Sequence, residues 1–360
     1  MESCLKELPY VGARAPRRIV REPYLAERVI FVGGQPGCGK TLMMALLGTL
    51  DRVEIQLYDY PLEYICALSD LGAVSDEVAT TMIRMLSDLD LYNMTMSRCV
   101  NFRFADYTSV FRNPGKWRYL RRLIQPGDAA AVTRIRQTHP ILQLTVHNLL
   151  ALCGPLFRAL EGRLRILEVV RHPLYMIKQW YLYIDAYGND PRDFNIWYDY
   201  EGKALPYFAK GWEEQYVRSN KMDRVIYSIA HIAAQGEAVL AGLSEQQRSR
   251  IMILPFERFV LDPWPSLRTL EALLDTQVTR RTRREMKRQR VPRRRIADGL
   301  PLKAYKLYGW EPAMKESDER RELEKRWRYT AAEASPEGMR VLDELCARYE
   351  VEHLSGMPGW

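Results

Sequence analysis

The sequence predicts an α/β fold: three layers, α/β/α, around a mostly parallel central sheet, with helical and loop insertions. Three observations predict it. Short apolar, β-branched runs alternate with stretches of helical periodicity along the whole chain, as in a parallel sheet covered on both faces. The first run, Val29-Ile30-Phe31-Val32, passes directly into a glycine loop and then into an apolar helix. A later buried run, Leu164–Val170, stops abruptly at Arg171-His172-Pro173.

The elements follow in order. Residues 1–27 form a basic, irregular lead-in to a domain spanning 28–315. Arg28–Val32 is the first strand, and Thr41–Leu50 is the helix after the loop. Val53–Leu57 is a candidate second strand, residues 62–98 are mostly helical, and 101–128 are a loop-rich, basic insertion. Ile141–Val146 and Leu164–Val170 are further strands, with a helix over 174–187. Residues 188–212, rich in Tyr, Trp, Gly and Asp, read as a long loop or lid, and 213–245 as helix. Ile251–Pro255 is the last strand, and helices over 264–275, 316–330 and 336–350 finish the chain. The segment 316–360 is a helical extension packed on the same domain.

Ligands of such sheets collect at the carboxyl ends of the strands. The informative residues are therefore those just past each run: Gly34–Thr41, Asp59, His147, Arg171 and Glu257.

The 360 residues are 47% hydrophobic and 27% charged, ordinary for a chain that buries a large core. A net charge of +8 suits an anionic ligand, an acidic polymer or a membrane surface without choosing among them. Cys4, Cys38, Cys66, Cys99, Cys153 and Cys346 are scattered and never at C-x-x-C spacing. That pattern argues against a zinc site and for reduced thiols in the cytoplasm. The first residues lack the apolar segment of a secretory signal. No run of ~18 apolar residues is present, so no membrane span is expected.

Gly34-Gln35-Pro36-Gly37-Cys38-Gly39-Lys40-Thr41 matches G-x-x-x-x-G-K-[ST] in full, between a strand and a helix. Glycines let successive N–H groups point at phosphate oxygens, and the helix N-terminus adds partial positive charge. Lys40 reaches an anionic group, and Thr41 offers a hydroxyl to phosphate or magnesium. The fold is thereby P-loop NTPase-like. Hydrolysis of ATP or GTP also needs an acidic magnesium ligand at a strand end. No clean one is found: Leu164–Val170 ends in Arg171, Glu257 comes slightly late, and Asp59 lies close to the loop in sequence. Arg171, past a buried strand, is placed to grip a second anion with its guanidinium fork.

In four places, taken in order over about residues 28–312, the chain resembles the P-loop-fold sulfotransferases. These use 3′-phosphoadenosine 5′-phosphosulfate (PAPS). Pro36-Gly37-Cys38-Gly39-Lys40-Thr41-Leu42-Met43 resembles their 5′-phosphosulfate loop. VVRHPLYMIKQWY resembles the segment that holds the 3′-phosphate, and ILPFERFVLDPWPSLRTLEALLD resembles a later strand and helix. The basic run with Gly299, Gly309 and Trp310 resembles a loop that closes over the nucleotide. The departures are that the family's loop lysine or arginine falls on Gly37, its first threonine on Lys40, its 3′-phosphate serine on Gln179, and a tyrosine on Pro255 or Phe256.

The resemblance implies PAPS as co-substrate, 3′-phosphoadenosine 5′-phosphate (PAP) as product, and no required metal. It implies binding of the 5′ end by Gly34, Pro36, Gly37, Cys38, Gly39, Lys40, Thr41 and Leu42. Arg171, Gln179, Arg293, Arg294, Arg295 and Gly299 would hold the 3′ end. Lys40 would stabilise the leaving phosphate. Glu54, Asp59, Glu63 and His147 are the candidates for a general base. The basic run at 280–295 would receive an anionic or carbohydrate acceptor. It lacks the internal aromatics on which nucleic-acid bases stack. A kinase or NTPase using ATP or GTP is the alternative reading, and a nucleic-acid-binding protein is a third.

Overall fold

The computed structural model describes residues 18–296, 298–299 and 318–357. Its centre is a five-stranded sheet. The strands are β1 (Val29–Gly33), β2 (Leu57–Tyr58), β3 (Leu142–Thr145), β4 (Leu164–Val170) and β7 (Ile251–Pro255), in the order β2-β3-β1-β4-β7. All pairs are parallel. A separate antiparallel hairpin joins β5 (Trp197–Tyr200) to β6 (Lys203–Pro206).

β1 shows why the layers form. Every residue in it is buried, as expected of a central parallel strand. Strand side chains alternate between faces. Ile30 and Val32 enter one core with the Lys40–Leu47 and Pro173–Ala186 helices, while Val29 and Phe31 enter the other with Leu62, Ile83 and Leu156. The three-layer α/β/α expectation is met. In register, Gly33 lies opposite Glu168 and Val170 opposite Pro255. The ends of β4 and β7 are thus level, two residues beyond the end of β1, and the chain leaves β1 where the strand order turns in opposite directions on its two sides.

Two local expectations change. Val53–Leu57 is not a full strand: it makes one bridge, Val53 to Ile141, and only Leu57–Tyr58 pairs further. The reason is competition from side chains. Ile55 N–H donates to the Tyr119 hydroxyl at 2.5 Å, and Glu54 is clamped by Arg122. Residues 188–212 are not simply a loop, since they contain the hairpin. Glu201 and Gly202 both have positive φ (50° and 78°), the backbone of a two-residue turn that matches strand twist.

The basic run is partly structured. Arg280–Arg288 is a helix capped by Thr279. The Thr279 and Thr282 hydroxyls donate to the Thr49 carbonyl at 2.8 and 2.9 Å, pinning this helix behind the end of the loop helix. The C-terminal helices Glu319–Ala331 and Pro336–Tyr349 pack on Pro173–Ala186 and Lys221–Gly242. Lys221–Gly242 is long and apolar enough to cross a membrane by length and composition. Met222, Val225, Ile226, Ile229 and Ile232 are buried in the core along one side of it, the packing of a core helix. Residues 1–17, and the part of the C-terminal glycine loop with Gly309 and Trp310, lie outside the described residues.

Candidate functional site

The glycine loop has positive φ at Gly34, Gly37 and Gly39. Close approach also demands glycine at each of these positions, Gly34 because a Cβ there would sit 2.4 Å from the Val169 carbonyl oxygen. A Cβ on Gly37 would sit 2.9 Å from the Met176 backbone, and one on Gly39 would sit 2.3 Å from the Phe256 ring. Gly39 caps the helix that starts at Lys40, so the loop amides and the helix N-terminus face the same space. Lys40 is buried, and its ammonium donates to the Gly34 carbonyl. Burial pulls its pKa down, opposed by Cys38, Glu63 and Glu168. Burial pushes the Cys38 thiol up to about 11, so it stays protonated at neutral pH.

Arg171, past β4, lies between the rings of Tyr175 and Phe256, 4.6 and 4.4 Å from their centroids. Its Nη1 donates to Gly37 O at 3.0 Å, which ties it to the loop. The ring packing fixes the plane of the guanidinium. The helix Pro173–Ala186 begins immediately afterwards, and Tyr175, Lys178, Gln179 and Tyr183 share one of its faces. Beyond β7, Glu257 is wholly buried. It accepts from His172 N–H at 3.0 Å and from the Tyr349 hydroxyl at 2.6 Å. That makes Glu257 a strut between two strand ends and the C-terminal helix, not a magnesium ligand facing the loop.

His147 follows β3. Its backbone N–H donates to Glu63 Oε2 at 2.8 Å, and its Nδ1 lies 3.4 Å from the same oxygen. The Tyr207 hydroxyl donates to the other Glu63 oxygen at 2.8 Å. Burial would raise the Glu63 pKa, but the bonds from His147 and Tyr207 outweigh it and hold the carboxyl below its usual range. For His147, burial and then the Lys40 charge lower the pKa, with Glu63 pulling the other way. With Nδ1–H turned to Glu63, Nε2 keeps the lone pair of a base.

These pieces meet in one cleft of about 350 Å³. Of the expected residues, Pro36, Gly37, Cys38, Gly39, Lys40, Thr41, Leu42, His147, Arg171, Gln179, Arg293 and Gly299 line it. Five cationic side chains do so: Lys40, Arg171, Lys178, Arg293 and Arg326. Among the described residues no Asp or Glu lines it.

Other expected residues lie elsewhere. Gly34 sits under the loop, where a Cβ would meet the Val169 carbonyl. Glu54 is fully buried and bound in a fork by Arg122 at 2.7 and 2.8 Å, which leaves it no role as a base in the cleft. Asp59 is buried and caps the helix Tyr60–Asp70, accepting from Leu62 N–H at 3.1 Å. Its pKa is raised by burial. Arg294 is exposed and Arg295 pairs with Asp298 at 2.9 Å, so neither joins Arg293 in the cleft.

Sequence reasoning missed Lys178, Arg326, Tyr175 and Glu168. Lys178 and Tyr175 had a signal, since they lie seven and four residues after Arg171 and hence on one helical face. Arg326 had none, because it arrives on a C-terminal helix whose packing is non-local. Glu168 is the acidic residue inside an otherwise largely apolar run that also holds Arg165, and burial raises its carboxyl pKa to about 8.

No protein-family model matches the chain, and no curated protein matches it in sequence. Among solved structures it is similar to a sulfotransferase domain from the curacin biosynthetic pathway, at 14% identity and a TM-score of 0.41 over 88% of this chain and 97% of that one. It is also similar to a sulfotransferase domain from a Synechococcus olefin synthase, at 11% identity and a TM-score of 0.40 over 90% and 100% of the two chains. A sulfotransferase from Alicyclobacillus acidocaldarius gives 17% identity and a TM-score of 0.33 over 91% and 97%.

Proposed function

We propose that the chain is a sulfotransferase that moves the sulfuryl group of PAPS to a hydroxyl or amine acceptor and releases PAP. One observation carries this reading: the cleft joins an anion loop, five cationic side chains and a carboxylate-oriented histidine, with no acidic residue among its described lining. A donor set of that kind fits a nucleotide with anions at both its 5′ and 3′ ends. It does not fit a magnesium nucleotide, which needs carboxylate ligands beside the phosphates.

The loop amides and Lys40 hold the 5′-phosphosulfate, and Arg171, Gln179 and Arg293 the 3′-phosphate. Lys178 and Arg326 add positive charge near that end. The acceptor oxygen attacks sulfur, and the sulfur–oxygen bond to the 5′-phosphate breaks. Nε2 of His147 takes the acceptor proton, and Glu63 positions the ring. Lys40 and the loop amides stabilise the charge that builds on the departing phosphate.

Tyr58, Tyr60, Tyr107 and Tyr183 supply the aromatic wall against which an acceptor ring lies. The exposed face of the basic helix, with Arg280, Arg283, Arg284 and Lys287, suits an anionic or carbohydrate acceptor. Five unpaired cysteines among the described residues fit a reducing cytoplasm.

The test is transfer of labelled sulfuryl from PAPS, in excess EDTA, to 4-nitrophenol and to a desulfated polysaccharide. The expected result is labelled product with either acceptor, falling by about 10²–10³ in Lys40→Met. Phosphate transfer from magnesium ATP, with PAPS inert toward both acceptors, would overturn the reading.

A further inference from the structure

The basic insertion at 101–128 reaches the cleft only at Tyr107 and Thr108, and its outer side presents a different surface. Of the five most exposed large apolar side chains among the described residues, three belong to it: Ile124 at 87%, Phe104 at 74% and Trp117 at 69%. Single exposed apolar residues are ordinary, but a concentration of them in one segment marks an interaction surface.

The helix Lys116–Arg122 sets how they are presented. Burial settles its inner side. Tyr119 is fully buried beside Ile55, Met94, Val100 and Val110, and Arg122 and Arg118 reach Glu54 at 2.7 and 3.7 Å. The turn continues past the helix, with Leu123 N–H donating to Leu120 O and Ile124 N–H to Arg121 O, both at 3.2 Å. At about 100° per residue, Trp117, Arg121 and Ile124 fall on the side opposite Tyr119. The Lys116 ammonium lies 5.6 Å from the Trp117 ring centroid. The Arg121 side chain is exposed and makes no hydrogen bond or ion pair among the described residues. The Phe104 ring stacks on Phe111 at 4.0 Å, and the turn Val110–Arg112 that holds Phe111 packs on the helix Lys116–Arg122. The insertion is therefore one unit, with six cationic residues against Asp106 and Asp128.

We propose that this face of the insertion docks on an anionic lipid bilayer, with Trp117 and Ile124 entering the headgroup region and Lys116 and Arg121 on the lipid phosphates. Apolar side chains that stand proud of a surface among lysines and arginines are the pattern of an interfacial helix. A protein partner needs a pocket for each protruding side chain, whereas a fluid bilayer makes its own. Charge separates this surface from other exposed apolar residues. Val351 is as exposed, at 72%, but stands between Glu350 and Glu352, which an anionic surface repels.

The docking does not depend on the nucleotide reading. Its consequence for the cleft is one of position. Three residues after Phe104 the chain becomes cleft wall at Tyr107, whose hydroxyl accepts from Gln289 Nε2 at 2.8 Å. The segment that meets the lipid and the segment that lines the cleft are continuous.

The experiment is cosedimentation of the whole chain with vesicles of phosphatidylcholine alone and of phosphatidylcholine mixed equally with phosphatidylglycerol. Binding to the mixed vesicles, little to the neutral ones, and release as salt rises are expected. Ile124→Ser and Trp117→Ala each weaken it by at least about tenfold, the effect of losing one large side chain that the bilayer buries. Arg121→Gln weakens it by about fivefold, the worth of one cation at a charged bilayer. Val351→Ser leaves it unchanged. Every variant is at an exposed position, and circular dichroism checks its folding. No sedimentation with either vesicle, equal binding to both, or wild-type binding by Ile124→Ser and Trp117→Ala would overturn the proposal. PAP titration of the same samples reports on the cleft separately.

Discussion

At the scale of single residues, His147 and Glu63 are where the chemistry is most exposed to test. Burial and the Lys40 charge lower the His147 pKa, so the ring is neutral at pH 7 and available as a base. As pH falls through that lowered value the ring takes a proton and the rate is lost. The acid limb of the pH–rate profile is thus expected below the ordinary histidine value of about 6.5. His147→Ala is expected to cut kcat by about 10²–10⁴ while PAP affinity holds. In Glu63→Gln the carboxylate that supports the protonated ring is gone, so the limb moves to still lower pH as the plateau rate drops. An acid limb that stays in place in Glu63→Gln would make Glu63 a structural residue only. Of the four bases read from the sequence, only burial and partners separate His147 from Glu54, which Arg122 neutralises. A linear sequence shows neither.

At the scale of elements, the glycine loop is held open by the packing behind it. Gly39 lies against Phe256, the first residue after β7, so the loop and a distant strand end are shaped together. Gly72 is a useful comparison: it also has positive φ, 72°, but a Cβ there meets nothing within 4 Å. Gly72→Ala is expected to lose only the left-handed backbone preference, about 1–2 kcal/mol, and to keep nucleotide binding. Gly39→Ala adds the clash with the Phe256 ring, so urea unfolding should show a larger loss, with nucleotide binding gone. Equal losses in the two variants, with binding intact in both, would contradict this account of the loop.

The central strands β1 and β4 were legible because buried parallel strands read as largely apolar runs, and the edge strand β7 because Ile251–Leu254 is apolar throughout and stops at Pro255. The hairpin of β5 and β6 was not, because its Tyr-, Asp- and Lys-containing strands resemble a loop and only Glu201-Gly202 marks the turn. The lost second strand was invisible for a different reason. Tyr119 and Arg122, over sixty residues away, take its polar groups.

At the scale of the molecule, the cleft is assembled from eight separated parts of the chain, two of them the tyrosine-bearing segments at Tyr58 and Tyr60 and at Tyr107. The loop after β1, His147 after β3, Arg171 and its helix after β4, Phe256 after β7, and Arg293 with Gly299 converge on it, and the C-terminal helix adds Arg326. The strand-end contributions follow from the parallel sheet, which is why most of the anion site could be read before the structure. Arg326 belongs to a segment that packs on the outside of the domain, and no local pattern announces it.

The net charge of +8 gains meaning here, since five cationic side chains line one cleft with no carboxylate among its described lining. The most direct test of that arrangement is calorimetric titration with PAP in excess EDTA, set beside ATP and GTP with magnesium. Metal-independent binding of PAP, weakened by at least about tenfold in Arg171→Ala, is the predicted result. Binding of a magnesium nucleotide alone, with PAP silent, would contradict the account at its centre.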